Sequence, residues 1–405
     1  MAAPAVRLAP SVAAPTPALA PTGRFRLESV DVVRGLIMII MALDHTRDYF
    51  TFPGQDPTDL SKATAALFMT RWITHFCAPV FFLLTGTGAY LSLRKKSPSQ
   101  LSRYLLTRGL WLLFLEAVVM RCFAYQFNFD YRVTLLIVLW ALGWSMIALS
   151  VLVRLPTAVV ATIGAILIVG HNLFDGVKWA NPLWTILHAP GFLLNTPAHV
   201  VFVTYPLIPW IGVTGVGYAL GQSYDWDAER RRTFLVRLGL ALSVAFVALR
   251  AINVYGDPSR WSAQSTALFT VLSFLNTTKY PPSLLFLLMT LGPALLLLRA
   301  FDGGTPRVLR PALVIGKVPL FYFMLHFALI HLFAVIVCYV RYGTAHWMFE
   351  SPDLANYPFI TPPEWGYPLP IVYLVWAAVV LTMYPLCRWF AALKQRRRDP
   401  WLSYL

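Results

Sequence analysis

Charge is scarce in this chain. Only 13% of its 405 residues are Asp, Glu, Lys or Arg, about half the roughly 25% of a soluble domain, which excludes an ordinary water-soluble globule. Acidic residues are the scarcest, 18 against 33 Lys and Arg, giving a net charge of +15. Cysteine is nearly absent as well. Cys77, Cys122, Cys338 and Cys387 lie in or beside apolar runs with no Cys-x-x-Cys spacing, so they read as core packing rather than a zinc site or a disulfide framework. No metal is expected. The sequence contains no GxxxxGK[ST], no HExxH and no GxSxG, which leaves a nucleotide motor, a zinc protease and a serine hydrolase unsupported. Residues 1–25 are Ala/Pro-rich and lack the apolar core of a secretory signal; they read as a disordered cytoplasmic tail.

What the chain has instead is hydrocarbon. It is 58% hydrophobic with a mean hydropathy of +0.62, and its apolar residues come in blocks of about 20, enough to cross roughly 30 Å of bilayer core. The expected fold is an all-α polytopic membrane bundle of about ten transmembrane helices, near 29–49, 73–93, 104–124, 133–153, 157–173, 199–221, 234–253, 281–301, 318–340 and 369–390. Only Val153-Arg154-Leu155-Pro156 divides the fourth from the fifth, so those two form a tight hairpin. One transmembrane domain covers 26–391, followed by a basic cytoplasmic tail at 392–405. There is no internal repeat.

Basic residues gather before the first span (Arg24, Arg26), after the second (Arg94, Lys95, Lys96, Arg103), after the sixth (Arg230, Arg231, Arg232, Arg237) and after the eighth (Arg299, Arg307, Arg310, Lys317). The tail adds Lys394, Arg396, Arg397 and Arg398. By the positive-inside rule these segments and both termini are cytoplasmic, in a bacterial inner membrane. Basic loops of this kind meet lipid headgroups or a phosphorylated small molecule; nucleic acid is not expected, and homo-oligomerisation is left open. The opposite loops are longer, and 59–72 is the clearest candidate for an interfacial helix.

The most informative segment is the first span, where Asp31, Arg34, His45 and Asp48 interrupt hydrocarbon at spacings of 3, 11 and 3. At about 100° per residue they share one helix face. Ionisable groups in a membrane span face a bundle interior or a wet cavity. Arg34 lies toward the cytoplasmic end and His45 about 16 Å further along. His75 enters the second span at the level of Asp44 and His45, and Lys279 and Tyr280 arrive at that level from the loop before span eight. Glu116 is expected to pair with an arginine, and Arg47 with Asp48 to form a solvated cap. His326 and His331 stand about 140° apart round one helix, so at most one of them faces a site.

Histidine suits acyl transfer because it takes a proton near neutral pH, and an acidic neighbour orients it. His45 is therefore the candidate base, with Asp44 or Asp48 orienting it. Arginine suits a polyphosphate by its bidentate fork, which favours Arg34, paired with Asp31, for an acyl-CoA.

The stretches Arg26-Leu-Glu-Ser-Val-Asp-Val-Val-Arg-Gly-Leu36, Leu43-Asp-His-Thr-Arg-Asp-Tyr-Phe50, Phe76-Cys-Ala-Pro-Val-Phe-Phe-Leu-Leu-Thr-Gly86 and Ile315-Gly-Lys-Val-Pro-Leu-Phe-Tyr-Phe-Met-Leu-His326 resemble the heparan-α-glucosaminide N-acetyltransferase catalytic-domain family, in its bacterial branch, over 26 to about 390. The Arg34…His45 pair also resembles the arginine–histidine motif of the wider transmembrane acyltransferases. The resemblance implies acetyl-CoA entering from the cytoplasm and an acyl group passing to a sugar amine or hydroxyl outside. In the sugar N-acetyltransferases the proposed catalytic histidine stands in the outer loop after the first span, in a His-x-x-Trp context. The loop 50–72 here has no histidine, so His45 or His75 takes that place. Lys279, Tyr280 and His331 are the expected acceptor contacts. The rival expectations are a proton-coupled small-molecule transporter, with the polar stripe as its relay, and a non-catalytic scaffold.

Overall fold

The architecture was taken from a computed structural model, which describes residues 27–354 and 357–397 together with Asp399, Leu402 and Tyr404. The expected tail 1–25, the basic residues Arg24 and Arg26, and Arg398 lie outside the described residues.

The fold is mostly helical, as backbone in a bilayer must be when no water is there to satisfy it. In chain order the elements are α1 (Glu28–Phe50), α2 (Ala65–Thr74), α3 (Cys77–Leu91) and α4 (Pro98–Phe114), which runs on as a π-helix over Leu115–Tyr125. Then come β1 (Val133–Leu136), α5 (Val138–Leu152), α6 (Thr157–Gly170), α7 (Pro182–Leu187), β2 (Gly191–Asn195), β3 (Val200–Val203) and α8 (Leu207–Gly221). The remainder is α9 (Ala228–Ile252), α10 (Ala267–Leu275), α11 (Leu284–Ala300), α12 (Arg310–Gly316), α13 (Pro319–Tyr342) and α14 (Leu369–Arg396). Among the described residues, five helical stretches are long and apolar enough to cross a membrane: 65–94, 157–174, 228–252, 319–342 and 369–396. The protein is a multi-pass membrane protein by that measure.

Two expected spans begin differently. Residues 133–136 and 200–203, placed at the starts of spans four and six, are strands β1 and β3, and the helices begin only at Val138 and Leu207. Together with β2 they form a sheet of order β1-β3-β2, with β1 parallel and β2 antiparallel to β3. Both runs are rich in Val, Leu and Phe, so hydropathy alone cannot separate strand from helix there. A helix does form where an interfacial one was expected at 59–72: it is α2, shifted to 65–74, and it joins α3 through only His75 and Phe76, so that 65–94 runs as one apolar helical stretch.

α1 occupies the centre, touching α2, α3, α11, α12, α13 and α14. Its contact with α12 is backbone on backbone. A Cβ at Gly35 would stand 1.8 Å from the Ala312 carbonyl oxygen, and one at Gly316 would stand 1.7 Å from that of Asp31. Helices that pack in lipid gain little from hydrophobic burial, so small residues that let backbones approach are how they associate. The same device joins α3 to α8 at Gly86 and Gly217, α4 to α5 at Gly109 and Gly143, and α9 to α11 at Gly239 and Gly292. All four cysteines are buried and free, as expected.

Candidate active site

Among the described residues, two cavities lie along the length of α1 and a third adjoins one of them. The one at its C-terminal end has a volume of about 390 Å³ and is lined by Asp44, His45, Arg47, Asp48, Arg71, Tyr125, Tyr205, Lys279, Tyr280 and Phe327, among others. Its walls come from far apart in the chain. α1 and α2 give the acid, histidine and arginines, while β1 and the residues after β3 give Leu135, Thr204 and Tyr205. The segment over the end of α1 adds Tyr357, Phe359 and Trp365. Trp365 Nε1 donates to the Tyr49 carbonyl at 3.0 Å and the Tyr367 amide to that of Phe50 at 2.8 Å, which ties this segment down.

His45 holds the centre of the arrangement. Its Nδ1 lies 2.7 Å from His326 Nε2, and His326 Nδ1 lies 2.9 Å from the Tyr322 carbonyl oxygen. A carbonyl only accepts, so His326 carries its proton on Nδ1, and its neutral ring offers a lone pair at Nε2. His45 must then donate from Nδ1, and the lone pair on Nε2 of His45 is the one left over. The chain of acceptors thus assigns the tautomers and makes His45 Nε2 a base. The Phe327 ring stacks on His45 with centroids 3.8 Å apart, fixing the imidazole plane.

The acid beside His45 is engaged elsewhere. Asp44 pairs with Arg47 at 2.9 Å and with Arg71 through a short contact, all three side chains being largely buried. Asp48 pairs with Arg47 at 2.5 Å but is half exposed. The expected solvated cap is therefore corrected: Arg47 is buried, because Asp44 and Asp48 both reach back to it. Orientation of His45 comes from His326 on α13, with no carboxylate hydrogen-bonded to it among the described residues.

Lys279 and Tyr280 do reach this cavity. Their loop is held by Arg250, whose guanidinium donates to the carbonyls of Ser259 (2.7 Å), Ser273 (3.1 Å), Phe274 (3.0 Å) and Asn276 (2.7 Å). Asp257 accepts from the Thr278 amide and hydroxyl at 2.9 and 2.8 Å and from Ser283 at 2.6 Å. Tyr280 lies outside the helices, and burial pushes its phenol up, but Lys279 and Arg71 outweigh that and hold it below the ordinary tyrosine range. His75 caps the end of α2 and lines an adjoining cavity of about 440 Å³, sharing Arg47, Arg71, Lys279 and Tyr280 with the first.

Other expected residues fall elsewhere. His331 is buried away from the cavity, 3.2 Å from the Ala124 carbonyl and 2.8 Å from that of Met348, stacked on Phe127. Of the two histidines on α13, His326 is the one turned toward His45. Glu116 accepts from the Leu139 amide at 2.9 Å at the start of α5, so its partner is backbone rather than the expected arginine. Arg121 reaches Val133, Asn128 and Asp130 and clasps the loop between the π-helix and β1.

The second cavity, about 220 Å³, lies at the N-terminal half of α1 and is lined by Arg34, Thr85, Ser92, Tyr104, Arg108 and apolar neighbours. Arg34 Nη1 is 3.1 Å from Asp31 and 3.5 Å from the Gly316 carbonyl. Arg34 and His45 are therefore separate sites on one helix, about 16 Å apart along its axis. Arg71, Tyr205, Arg250 and His326 were not singled out for the site from the sequence. Only His326 left a signal, as a histidine within an apolar run.

Residues 26–255, more than half of the chain, match the family described as "Heparan-alpha-glucosaminide N-acetyltransferase, catalytic". The match takes in α1 through α9, a shorter stretch than the expected 26 to about 390. No curated protein matches the chain.

Proposed function

The chain belongs to the heparan-alpha-glucosaminide N-acetyltransferase catalytic family, a family of membrane acetyltransferases, and from that premise we propose that it moves an acetyl or other acyl group from cytoplasmic acyl-CoA to a sugar amine or hydroxyl across a bacterial inner membrane. The bundle would cross about ten times with both termini inside, the shorter and more polar helices, α1 among them, adding to the five apolar stretches. The supporting observation is the His45–His326–Tyr322 chain beside the cavity at the C-terminal end of α1.

In this reading His45 Nε2 takes a proton from the acceptor N–H or O–H as its lone pair attacks the thioester carbonyl. The C–S bond breaks, CoA leaves as the thiolate, and the imidazolium is held by its Nδ1–H bond to His326. Asp44 lends the imidazolium a compensating charge, and Asp48 adds to it from the cavity rim. Lys279 and Arg71 supply positive charge for the oxyanion that develops, while Tyr280 and His75 contact the acceptor. Arg34, steadied by Asp31, binds phosphate of CoA at the inner end, so that the thioester reaches toward His45 along α1. His331 keeps a supporting role behind Tyr49, its ring 5.4 Å from that phenol.

The test is transfer of labelled acetyl from acetyl-CoA to a panel of amino sugars and glycans by detergent-purified protein, with calorimetric binding of acetyl-CoA alongside. Saturable acetyl-CoA binding by the wild type, with transfer lost but binding kept in His45→Ala, supports the reading. Full transfer by a folded His45→Ala protein overturns the assignment. A proton-coupled transporter would need a continuous relay, and between Arg34 and Asp44 α1 carries only Gly35-Leu-Ile-Met-Ile-Ile-Met-Ala-Leu43.

A further inference from the structure

α6 ends in a tight turn, His171–Phe174, and α7 ends at Leu187 with His188 as its C-cap. His171, Asp175 and His188 bring one potential ligand atom each to within 4.8 Å of one another. Both histidines are sealed, at 2% and 3% exposure. Among the described residues, neither ring nitrogen of His171 makes a well-formed hydrogen bond, the Pro282 backbone being its one polar neighbour outside the cluster, and Nδ1 of His188 has no partner. Two buried imidazoles so poorly satisfied are costly, unless something else fills the space between them.

The spacing says what fits. His188 Nε2 stands 3.4 Å from Asp175 Oδ1, long for an N–H···O bond. Two ligands each about 2.0–2.1 Å from a tetrahedral zinc ion are about 3.3 Å apart. The other carboxylate oxygen is already occupied: Asn172 Nδ2 donates to Asp175 Oδ2 at 2.8 Å, which aims Oδ1 toward the histidines. An outer residue that orients a ligating carboxylate is what built metal sites have. Asn172 also accepts from the Leu284 amide at 2.8 Å, so the cluster is tied to the start of α11.

We propose that His171, Asp175 and His188 bind one zinc-class divalent cation, with a fourth position open to water beside Asp175, whose side chain is 20% exposed. The donor set, two imidazoles and a carboxylate, suits zinc. Its role is to fasten the ends of α6 and α7 to the start of α11, and so to hold the loop that carries Lys279 and Tyr280. The sequence gives no hint of this set, because His171 and Asp175 are remote in sequence from His188 and match no metal motif. The proposal does not rest on acyl transfer.

The experiment uses tag-free, detergent-purified full chain stripped with chelator and titrated with zinc, and separately with cobalt. The expected result is about one ion per chain, with the visible bands of tetrahedral cobalt. His171→Ala and His188→Ala abolish binding, and Asn172→Ala weakens it about 10–100-fold. His346→Ala leaves binding intact, although His346 also sits beside an acid, 2.6 Å from Glu350 on the surface. Should an alanine variant fail to fold, the wild-type cobalt titration decides alone. No saturable bands at one equivalent, or binding undiminished in folded His171→Ala, would overturn the site and leave an ordinary His188–Asp175 contact.

Discussion

The two ends of α1 are built by different means. At its N-terminal end, Asp31 and Arg34 are partners three residues apart on their own helix, and the crossing with α12 is set by Gly35 and Gly316. At its C-terminal end, groups from α1, α2, the π-helix, the sheet, the loop before α11, α13 and the segment before α14 meet at one cavity. The N-terminal end is therefore largely local, and the C-terminal end is a product of tertiary assembly. A site whose partners come from seven places can be pre-organised, whereas a single i,i+3 pair offers a charge and little shape. The proposed function gives chemistry to the C-terminal end and anchoring of the acyl donor to the N-terminal one.

His45→Ala tests this contrast most severely. Removing the proposed base is expected to cut kcat about 10²–10⁴-fold while acetyl-CoA binding by calorimetry stays near wild type. If binding fell as far as turnover, the division of labour between the two ends would be wrong. His326→Ala should follow it part of the way, because the base survives but its tautomer is no longer fixed. His326→Gln, which keeps an acceptor, should recover part of the rate; rescue in kcat rather than KM marks positioning rather than contact.

Asp44→Ala sharpens the comparison through stability. It leaves the Arg47 and Arg71 guanidiniums buried without their shared carboxylate, and breaking such a pair costs about 3–5 kcal/mol, which a thermal melt in detergent reads directly. Arg34→Ala is milder. Losing one charge-assisted contact, about 1.5–3 kcal/mol, should weaken acetyl-CoA binding roughly 10–100-fold with kcat at saturation little changed. A fall in kcat with unaltered affinity would instead put Arg34 in the reacting centre.

The smallest effect concerns the loop between the π-helix and β1. Burial raises the Asp130 carboxyl, but Ser351, the Arg132 amide and Arg121 outweigh it and hold it below the ordinary carboxylate range. A depressed folded value means its contribution is present above the unfolded value, about 3.9, and is lost as pH falls through the lower folded value. Amide exchange over 126–133 should therefore quicken only in that acidic window, with α1 unaffected. Exchange that is flat across it would remove Asp130 from the clasp.

Much of the scaffold was legible without coordinates. The apolar blocks became helices at nearly every expected place, because a chain without water must bond its backbone within itself. The stripe on α1 was legible because periodicity puts residues 3 and 11 apart on one face. The starts of β1 and β3 were not, since a short Val/Leu run looks alike in strand and helix. Cysteine packing followed from spacing alone, while the partners of Arg47 and Glu116 did not.

Sequence by itself determined that this is a membrane bundle, that its first helix carries the ionisable groups, and that His45 has acid and arginine for neighbours. Only the tertiary structure decided that His326 rather than His331 meets His45, that Asp44 serves two arginines, and that His171, Asp175 and His188 converge. The physical reason is that helix formation is a local balance of backbone hydrogen bonds and side-chain hydropathy, readable from a window of residues. Which polar groups meet depends on how helices rotate and cross. In this protein glycine contacts such as Gly35 on Ala312 and Gly217 on Leu83 set those crossings, and a glycine's sequence position does not say which helix it will touch.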